Sequence, residues 1–174
     1  MKAAVPLARI SVGVVLERRK ATSPWLDAVW RPVAVLNGCP DAAPWTVLSD
    51  EGGVRSYYAG PSEIELYRSE TGNYRDNLVS NRPSVWIALH ETGSEPPYEI
   101  AAVTADPAEG EALTEPGSAL VESVPMPEPI RDVIAAFVSE HHVEDVFAKR
   151  KRDRADPETL ARRDLVSRRD NERS

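Results

Sequence analysis

The chain has little of several features that mark particular classes of protein. Its 174 residues include a single cysteine, Cys39, which excludes a disulfide within the chain. No apolar run approaches the roughly 20 residues that a membrane-spanning helix requires. Arg9 interrupts the short apolar stretch near the N-terminus, which argues against a signal peptide. We therefore expect a cytoplasmic protein without a membrane span.

The sequence also lacks the short motifs that identify common catalytic sites. It has no phosphate-binding loop of the glycine-lysine-serine kind, no dinucleotide fingerprint and no Gly-x-Ser-x-Gly elbow. Acidic residues number 28, but the pattern assigns no pair of them as a general acid and base. Glu63 and Glu65 fall on the same, solvent-facing side of a predicted strand. We predict no catalytic residue and no cofactor, and a binding protein is favoured over an enzyme.

Histidine and cysteine do not form a recognisable metal-binding pattern. His141 and His142 are adjacent at the end of a predicted helix, where neighbouring side chains diverge by about 100°. A cationic side chain at that end interacts favourably with the helix dipole. Cys39 lies in a turn sequence without a second cysteine or a neighbouring base. We predict structural roles for these residues and no metal site.

Charge changes sign along the chain. The sequence contains 21 Lys or Arg and 28 Asp or Glu, which gives a net charge of −7. Residues 149–174 hold ten of the basic residues and only six of the acidic ones, which leaves 11 basic against 22 acidic residues in 1–148. An acidic body is therefore followed by a basic tail, which begins Lys149-Arg150-Lys151-Arg152.

Three interpretations of this tail remain open. It is a solvated, disordered end, a segment that folds on binding a partner protein, or a contact for nucleic acid or an anionic membrane. Acidic residues interspersed along the tail dilute the positive charge that phosphate binding requires. We therefore favour a protein partner over nucleic acid.

The strands are predicted from alternating apolar and polar positions and from turn residues. In the first of them, residues 10–16, the alternation predicts one buried face. Pro32 indicates that the second strand lies at an edge or contains a bulge, and Gly52-Gly53 predicts a hairpin turn. The predicted strands are residues 10–16, 29–36, 45–48, 54–58, 62–68, 85–89, 98–104 and 119–124.

Helices are predicted near the middle and the end of the chain. Residues 74–79 indicate a short helix or a turn in which Tyr74, Leu78 and Val79 share a face, and Asp106-Pro107 is typical of a helix start. Residues 130–141 place apolar side chains along one stripe of a longer helix. These patterns predict one α+β domain over residues 1–148, a mostly antiparallel β-sheet or partly open barrel with a capping C-terminal helix. The flexible basic tail comprises residues 149–174.

The tryptophans allow two interpretations. In the first, they belong to the core of a small β domain, where each buries on the order of 200 Å². In the second, Trp25, Trp30 and Arg31 form an exposed patch that docks a partner, because Trp and Arg are common interface anchors. The predicted interaction residues are therefore Trp25, Trp30 and Arg31, together with Lys149, Arg150, Lys151 and Arg152.

Several segments resemble a bacterial family that is known as a domain of unknown function, family 3305. Its N-terminal signature is similar to Ser23-Pro24-Trp25 and to Trp30-Arg31-Pro32 with the residues that follow. The resemblance extends from about Arg9 to Pro157 and continues through residues 65–68, 74–78, 83–86, 125–128 and 141–144 and the Lys149–Arg152 cluster.

The resemblance implies a setting for the protein. Members of the family are typically encoded beside molybdenum- or tungsten-dependent formate dehydrogenase genes. This implies a non-catalytic accessory or assembly factor that docks onto a formate dehydrogenase subunit or its maturation proteins. Members are also often labelled molybdopterin-guanine dinucleotide biosynthesis protein A. That label implies an alternative, an enzyme or carrier that handles the molybdenum cofactor or a guanine nucleotide, although residues 17–22 contain no glycine for a phosphate-binding turn.

Overall fold

The computed structural model describes residues 4–114 and 120–144. The chain divides into two units, Met1–His142 and Val143–Ser174. Within the described ranges, the first unit contains, in chain order, β1 (Ala8–Lys20), β2 (Ala28–Asn37), β3 (Thr46–Glu51), β4 (Val54–Leu66), α1 (Thr71–Val79), β5 (Ser84–Glu91), β6 (Tyr98–Thr104), α2 (Pro107–Ala112), β7 (Leu120–Pro125) and α3 (Glu128–His141).

The larger sheet has the strand order β2-β1-β4-β3, and every neighbouring pair is antiparallel. Its two central strands, β1 and β4, are 13 residues each and pair along most of their length. Gly52 and Gly53 connect β3 to β4 with φ angles of 60° and 78°. These left-handed conformations suit glycine and give the tight turn of the predicted hairpin.

The smaller sheet has the order β6-β5-β7 and is also antiparallel. Its central strand presents Val85, Ile87 and Leu89 as fully buried side chains. Because alternate residues of a strand point to the same face, these three positions line one side of the sheet. These three residues are buried as predicted, but Ala88 on the opposite face is also buried.

Bulges bend the larger sheet at its centre. The register shifts between Val14 and Val15 where β1 pairs with β4, and between Val15 and Leu16 where β1 pairs with β2. A bulge bends the strand and increases its twist. β4 contacts β6, and β2 contacts β7. The two sheets do not close into a barrel. Pro32 lies on the edge strand β2 beside the second shift, as its sequence predicts.

One hydrophobic cluster joins both sheets to α1 and α3. Complete burial of one Leu or Ile side chain stabilises a fold by roughly 1.5–3 kcal/mol. The aliphatic residues that are fully buried here include Leu16, Ile64, Leu66, Ile87, Leu89, Ile130 and Ile134. None of the helices in the described ranges is long and apolar enough to pass through a membrane.

A buried amide fixes α1 against the smaller sheet. The Asn77 side-chain nitrogen donates to the carbonyl oxygens of Ser84, at 2.8 Å, and Ala105, at 2.9 Å. Its side-chain oxygen accepts from the Ser84 N–H at 3.0 Å. A buried polar group that loses its partners costs about 1–3 kcal/mol. Asn77 therefore ties the helix to the start of β5 and to the residue that follows β6.

The predicted fold class is confirmed, since antiparallel strands predominate and a C-terminal helix packs on them. Two local predictions are wrong. Residues 54–58 and 62–68 are not separate strands, because β4 runs through Ala59 and Gly60 with β1 paired along both halves. Val79 does not share the buried face of α1, since it is 77% exposed.

A third local prediction is also corrected. β1 is buried on both faces at its centre, where residues 12–16 are all buried. Gly13, on the face predicted to be polar, lies beneath the Tyr58 ring and Pro40. The predicted tail, residues 149–174, lies outside the described residues.

Candidate functional site

Three aromatic side chains from separate parts of the fold meet around Trp30 on β2. The ring centroid of Trp30 lies 5.8 Å from Trp45, 5.4 Å from Tyr57 and 6.3 Å from Tyr98. Tyr57 belongs to β4, Tyr98 to β6 of the smaller sheet, and Trp45 immediately precedes β3. All four residues are only half-buried. The cluster therefore combines packing against the core with apolar area that a ligand could reach.

The backbone of Trp45 has an unusual conformation. Its φ angle is 70°, in the left-handed region that bulky residues seldom adopt. Its N–H donates to the Tyr58 carbonyl at 2.5 Å, which holds the residue beside β4. A non-glycine residue in this region costs of order 1–3 kcal/mol, and such residues are concentrated at functional sites. In this conformation, the Trp45 indole packs against the rings of Trp30 and Tyr57.

Two arginines flank the cluster. Arg18 on β1 pairs in register with Trp30 on one side and with Arg55 on the other. Its guanidinium carbon lies 6.0 Å from the Trp30 ring centroid, which is the range of a cation–π contact. Arg55 donates to the Asp50 carboxylate at 2.6 Å. Hydrogen bonds to the Tyr57 hydroxyl and to Asp50 raise the pKa of Arg55 above its ordinary value.

Two cavities adjoin Trp30, and we call them together the Trp30 groove. The first, of about 610 Å³, is lined by Arg18, Trp30, Trp45, Arg55, Tyr57, Glu95, Pro96 and Pro97. The second, of about 400 Å³, is lined by Trp30, Glu91, Gly93, Ser94, Glu95, Pro97 and Tyr98. Both volumes fall in the range of ligand sites in proteins. Trp30, Glu95 and Pro97 border both cavities, so the loop between β5 and β6 forms a wall of the groove.

The Trp30 groove has opposite charges at its two ends. Arg18 and Arg55 line the cavity that contains Trp45 and Tyr57. Glu91 lines the cavity that contains Tyr98, and Glu95 borders both. The groove therefore has two arginines in one cavity and two glutamates in the other, with the Trp30 ring and Glu95 at the border of both.

Comparison with known sequences places the chain in a family. Residues 11–151 match the family described as "Protein of unknown function (DUF3305)". The chain belongs to this family. The resemblance in its sequence is thereby confirmed at the level of the family, and every residue that lines the Trp30 groove lies within the matched range. No curated protein and no solved structure matches the chain.

The structure separates the interaction residues that the sequence predicts in the body of this DUF3305 protein. Trp25 lies in the connection between β1 and β2 and is 90% exposed. Trp30 is half-buried in the aromatic cluster, while Arg31, the next residue on β2, is exposed. Because successive strand residues point to opposite faces, Arg31 does not line the groove with Trp30. The Lys149–Arg152 cluster lies outside the described residues.

Sequence reasoning missed most of the groove. Arg18, Arg55, Tyr57 and Tyr98 were not among the predicted interaction residues, although the predicted hairpin places Tyr57 near Trp45. The pairing of β1 with both β2 and β4 brings the two arginines to Trp30. That pairing joins separate strands, and alternation within one strand does not predict which other strands pair with it or in what register.

His141, His142 and Cys39 have structural partners. The His142 ring nitrogens lie 3.1 Å from Arg75 Nη1 and 3.0 Å from Thr71 Oγ1, which connects the end of α3 to α1. The His141 ring packs on Phe137 at 4.6 Å between centroids. The exposed Cys39 thiol lies 3.4 Å from the Val12 carbonyl oxygen. In the described part of the chain, no group of three His, Cys, Asp or Glu residues is placed to hold a metal ion.

Proposed function

We propose that this chain is a non-catalytic accessory or assembly factor that acts by docking onto another protein, and that the Trp30 groove is its main contact surface. The observation that carries the proposal is the half-buried cluster of Trp30, Trp45, Tyr57 and Tyr98 flanked by Arg18. Trp, Tyr and Arg are the residues most enriched among interface hot spots. They occur here together beside an open groove in an acidic body.

The partner we propose is a subunit of a molybdenum- or tungsten-dependent formate dehydrogenase or one of its maturation proteins. This part rests on the family resemblance, and the family match itself names no partner. In the proposed complex, the exposed Trp25 and Arg31 extend the contact surface beyond the groove. The Lys149–Arg152 cluster supplies a separate basic contact for an acidic partner surface.

Co-purification from the native host tests this proposal. We expect the tagged chain to retain the dehydrogenase or its maturation proteins, and Arg18→Glu to reduce the recovered partner by at least about fivefold, since reversal of an interface charge creates a like-charge contact. Arg82→Glu is the matched control, because Arg82 is also exposed and does not line the groove. No association, together with normal formate oxidation in a deletion strain, would contradict the proposal.

A second candidate function is supported by the same surface. Aromatic rings with nearby arginines also suit a nucleotide, whose base stacks on a ring while the phosphates meet the cations. This chemistry corresponds to an enzyme or carrier that handles the molybdenum cofactor or a guanine nucleotide. Calorimetry with GTP, GDP and molybdopterin distinguishes the two functions. Binding near physiological concentrations that is lost in Tyr57→Ala would favour the second candidate.

A further inference from the structure

We propose that the Trp30 groove binds an extended, proline-containing segment of a partner protein, with a basic residue at one end of the segment and an acidic residue at the other. The inference rests on the proposed docking function and adds to it the chemistry of the bound segment. Three properties of the groove lead to it. They are the continuous surface of its aromatic rings, the composition of its wall and the opposite charges at its ends.

The aromatic rings form a continuous, half-buried surface. The Trp30 centroid lies 5.4 Å from Tyr57 and 6.3 Å from Tyr98, so the Trp30 ring packs against both. Such a surface suits a polyproline II segment. Aromatic grooves recognise such segments by packing rings against proline, whose restricted backbone loses little conformational entropy on binding.

The wall of the groove is apolar where the rings are. Pro97 borders both cavities, and Pro96 borders the larger one. A segment lying across Trp30 would therefore contact aromatic rings on one side and proline rings on the other. Such contacts require no exchange of backbone hydrogen bonds, which suits a polyproline II segment because its backbone remains solvated.

The charges at the ends of the groove determine the ends of the segment. Glu91 and Glu95 line the cavity around Tyr98, where a Lys or Arg side chain would meet two carboxylates and an aromatic ring. Arg18 and Arg55 line the cavity around Tyr57, where an Asp or Glu would be favoured. A segment with both charges fits in one direction only, because the reverse direction places like charges together.

A nucleotide fits these charges less well than a peptide does. Arg55 already donates to Asp50 at 2.6 Å, which leaves its positive charge partly neutralised. Glu95 lines the same cavity as Arg18 and would repel a phosphate group held there. Glu95 would repel a peptide carboxylate less strongly, because the carboxylate carries a single negative charge and a phosphate monoester carries nearly two. The exposed Arg18 can offset that single charge.

The test is binding of synthetic peptides to the full chain, measured by calorimetry. Each peptide has the core Pro-Pro-Leu-Pro-Pro, with Arg before it and Asp after it, or in the reverse order. We expect the peptide with one order of charges to bind at least about fivefold more tightly than the other. One order forms exposed ion pairs with the groove, and the reverse order places like charges together. Replacement of the four prolines by alanine should weaken the better peptide by about tenfold, because a flexible segment loses more conformational entropy on binding.

Reversing one charge on the protein and the matching charge on the peptide tests whether Glu95 contacts the basic end of the peptide. Glu95→Lys should weaken the better peptide and should strengthen binding of a peptide in which Asp replaces its Arg. Glu99→Lys is the matched control, because Glu99 is exposed and does not line the groove. Tyr57→Ala should abolish binding of both peptides. Equal affinity for the two peptide orders, or peptide binding that neither Glu95→Lys nor Tyr57→Ala alters, would overturn the inference.

The outcomes also separate this inference from the proposed function. Co-purification that depends on Arg18, without binding of any peptide, would support docking through the groove and would overturn the polyproline ligand. Binding of the peptides, without association with the dehydrogenase or its maturation proteins, would support the ligand chemistry and contradict the proposed partner.

Discussion

At the scale of single residues, Gly110 and Gly72 lie in helices with different surroundings. Alanine is therefore expected to have opposite effects on stability at these two positions. At Gly110 in α2, a Cβ atom would lie only 2.4 Å from Cγ of Trp86. Gly110→Ala should lower the free energy of unfolding by about 1–3 kcal/mol, because the indole or the helix must shift to make room. Urea denaturation followed by circular dichroism measures the change.

Gly72 in α1 is the matched control. The nearest atom to a Cβ atom there is Cε1 of His142, at an ordinary contact distance of 4.0 Å. Gly72→Ala should leave stability unchanged or raise it by up to about 1 kcal/mol, because alanine has the higher helix propensity and restricts the unfolded chain. Equal stability of the two variants would show that α2 does not pack on Trp86 as described.

Residues whose role is local could be predicted from the sequence, and residues with distant partners could not. Asp106 begins α2 as predicted, and its side chain accepts from the N–H groups of Ala108 and Glu109. No local pattern predicts the role of Asn77, because one of its hydrogen-bond partners, Ala105, is 28 residues away. The left-handed backbone conformation of Trp45 could not be predicted either, because glycine and asparagine are the residues that usually adopt it.

At the scale of secondary structure, α3 provides a test of its buried stripe. Ile134 is 0% exposed within the core, whereas its neighbour Val133 is 47% exposed. Ile134→Ala should lower the free energy of unfolding by about 2–5 kcal/mol, because it removes buried area and leaves a cavity. Val133→Ala should change it by less than about 0.5 kcal/mol. Thermal and urea denaturation measure both effects.

The elements were predicted more accurately than their arrangement. Alternation and turn residues located the strands, and a stripe of apolar residues at helical spacing located α3, because these signals depend on residues close together in the chain. The strands predicted at residues 54–58 and 62–68 leave out Ala59 and Gly60, which belong to β4 in the structure. β1 keeps the two halves aligned by pairing with both, and a bulge accommodates Gly60 at a φ angle of 140°. The groove depends on Tyr98 from the other sheet, which no pattern within β2 could indicate.

At the scale of the whole molecule, buried tyrosines make stability dependent on alkaline pH. Burial raises the pKa of Tyr74 to about 12 and also raises those of Tyr58 and Tyr98. Unfolded tyrosines titrate near pH 10. Between pH 10 and 12 the unfolded chain therefore loses protons that the folded chain retains, and stability falls as the pH rises. Tyr74 alone should account for a loss of at most about 2–3 kcal/mol.

Tyr74→Phe isolates the contribution of this residue. The variant loses the hydrogen bond that the Tyr74 hydroxyl accepts from the Tyr67 N–H at 3.0 Å, so it should be about 1 kcal/mol less stable at pH 7. Its stability should nevertheless fall less steeply above pH 10, because a phenyl ring has no proton to lose. Urea denaturation at several pH values from 7 to 11 compares the two proteins, and identical slopes would contradict the assignment.

The aromatic cluster gives the molecule an optical signal of its own. The Trp30 and Trp45 indoles lie 5.8 Å apart at an interplanar angle of 80°, close enough for their electronic transitions to couple. Coupled chromophores in a fixed, chiral arrangement produce paired bands of opposite sign in a circular dichroism spectrum. Trp25, which is 90% exposed, should instead emit like an indole in water. A ligand that enters the groove would disturb the coupled pair and leave Trp25 unchanged, so occupancy could be followed in unlabelled protein.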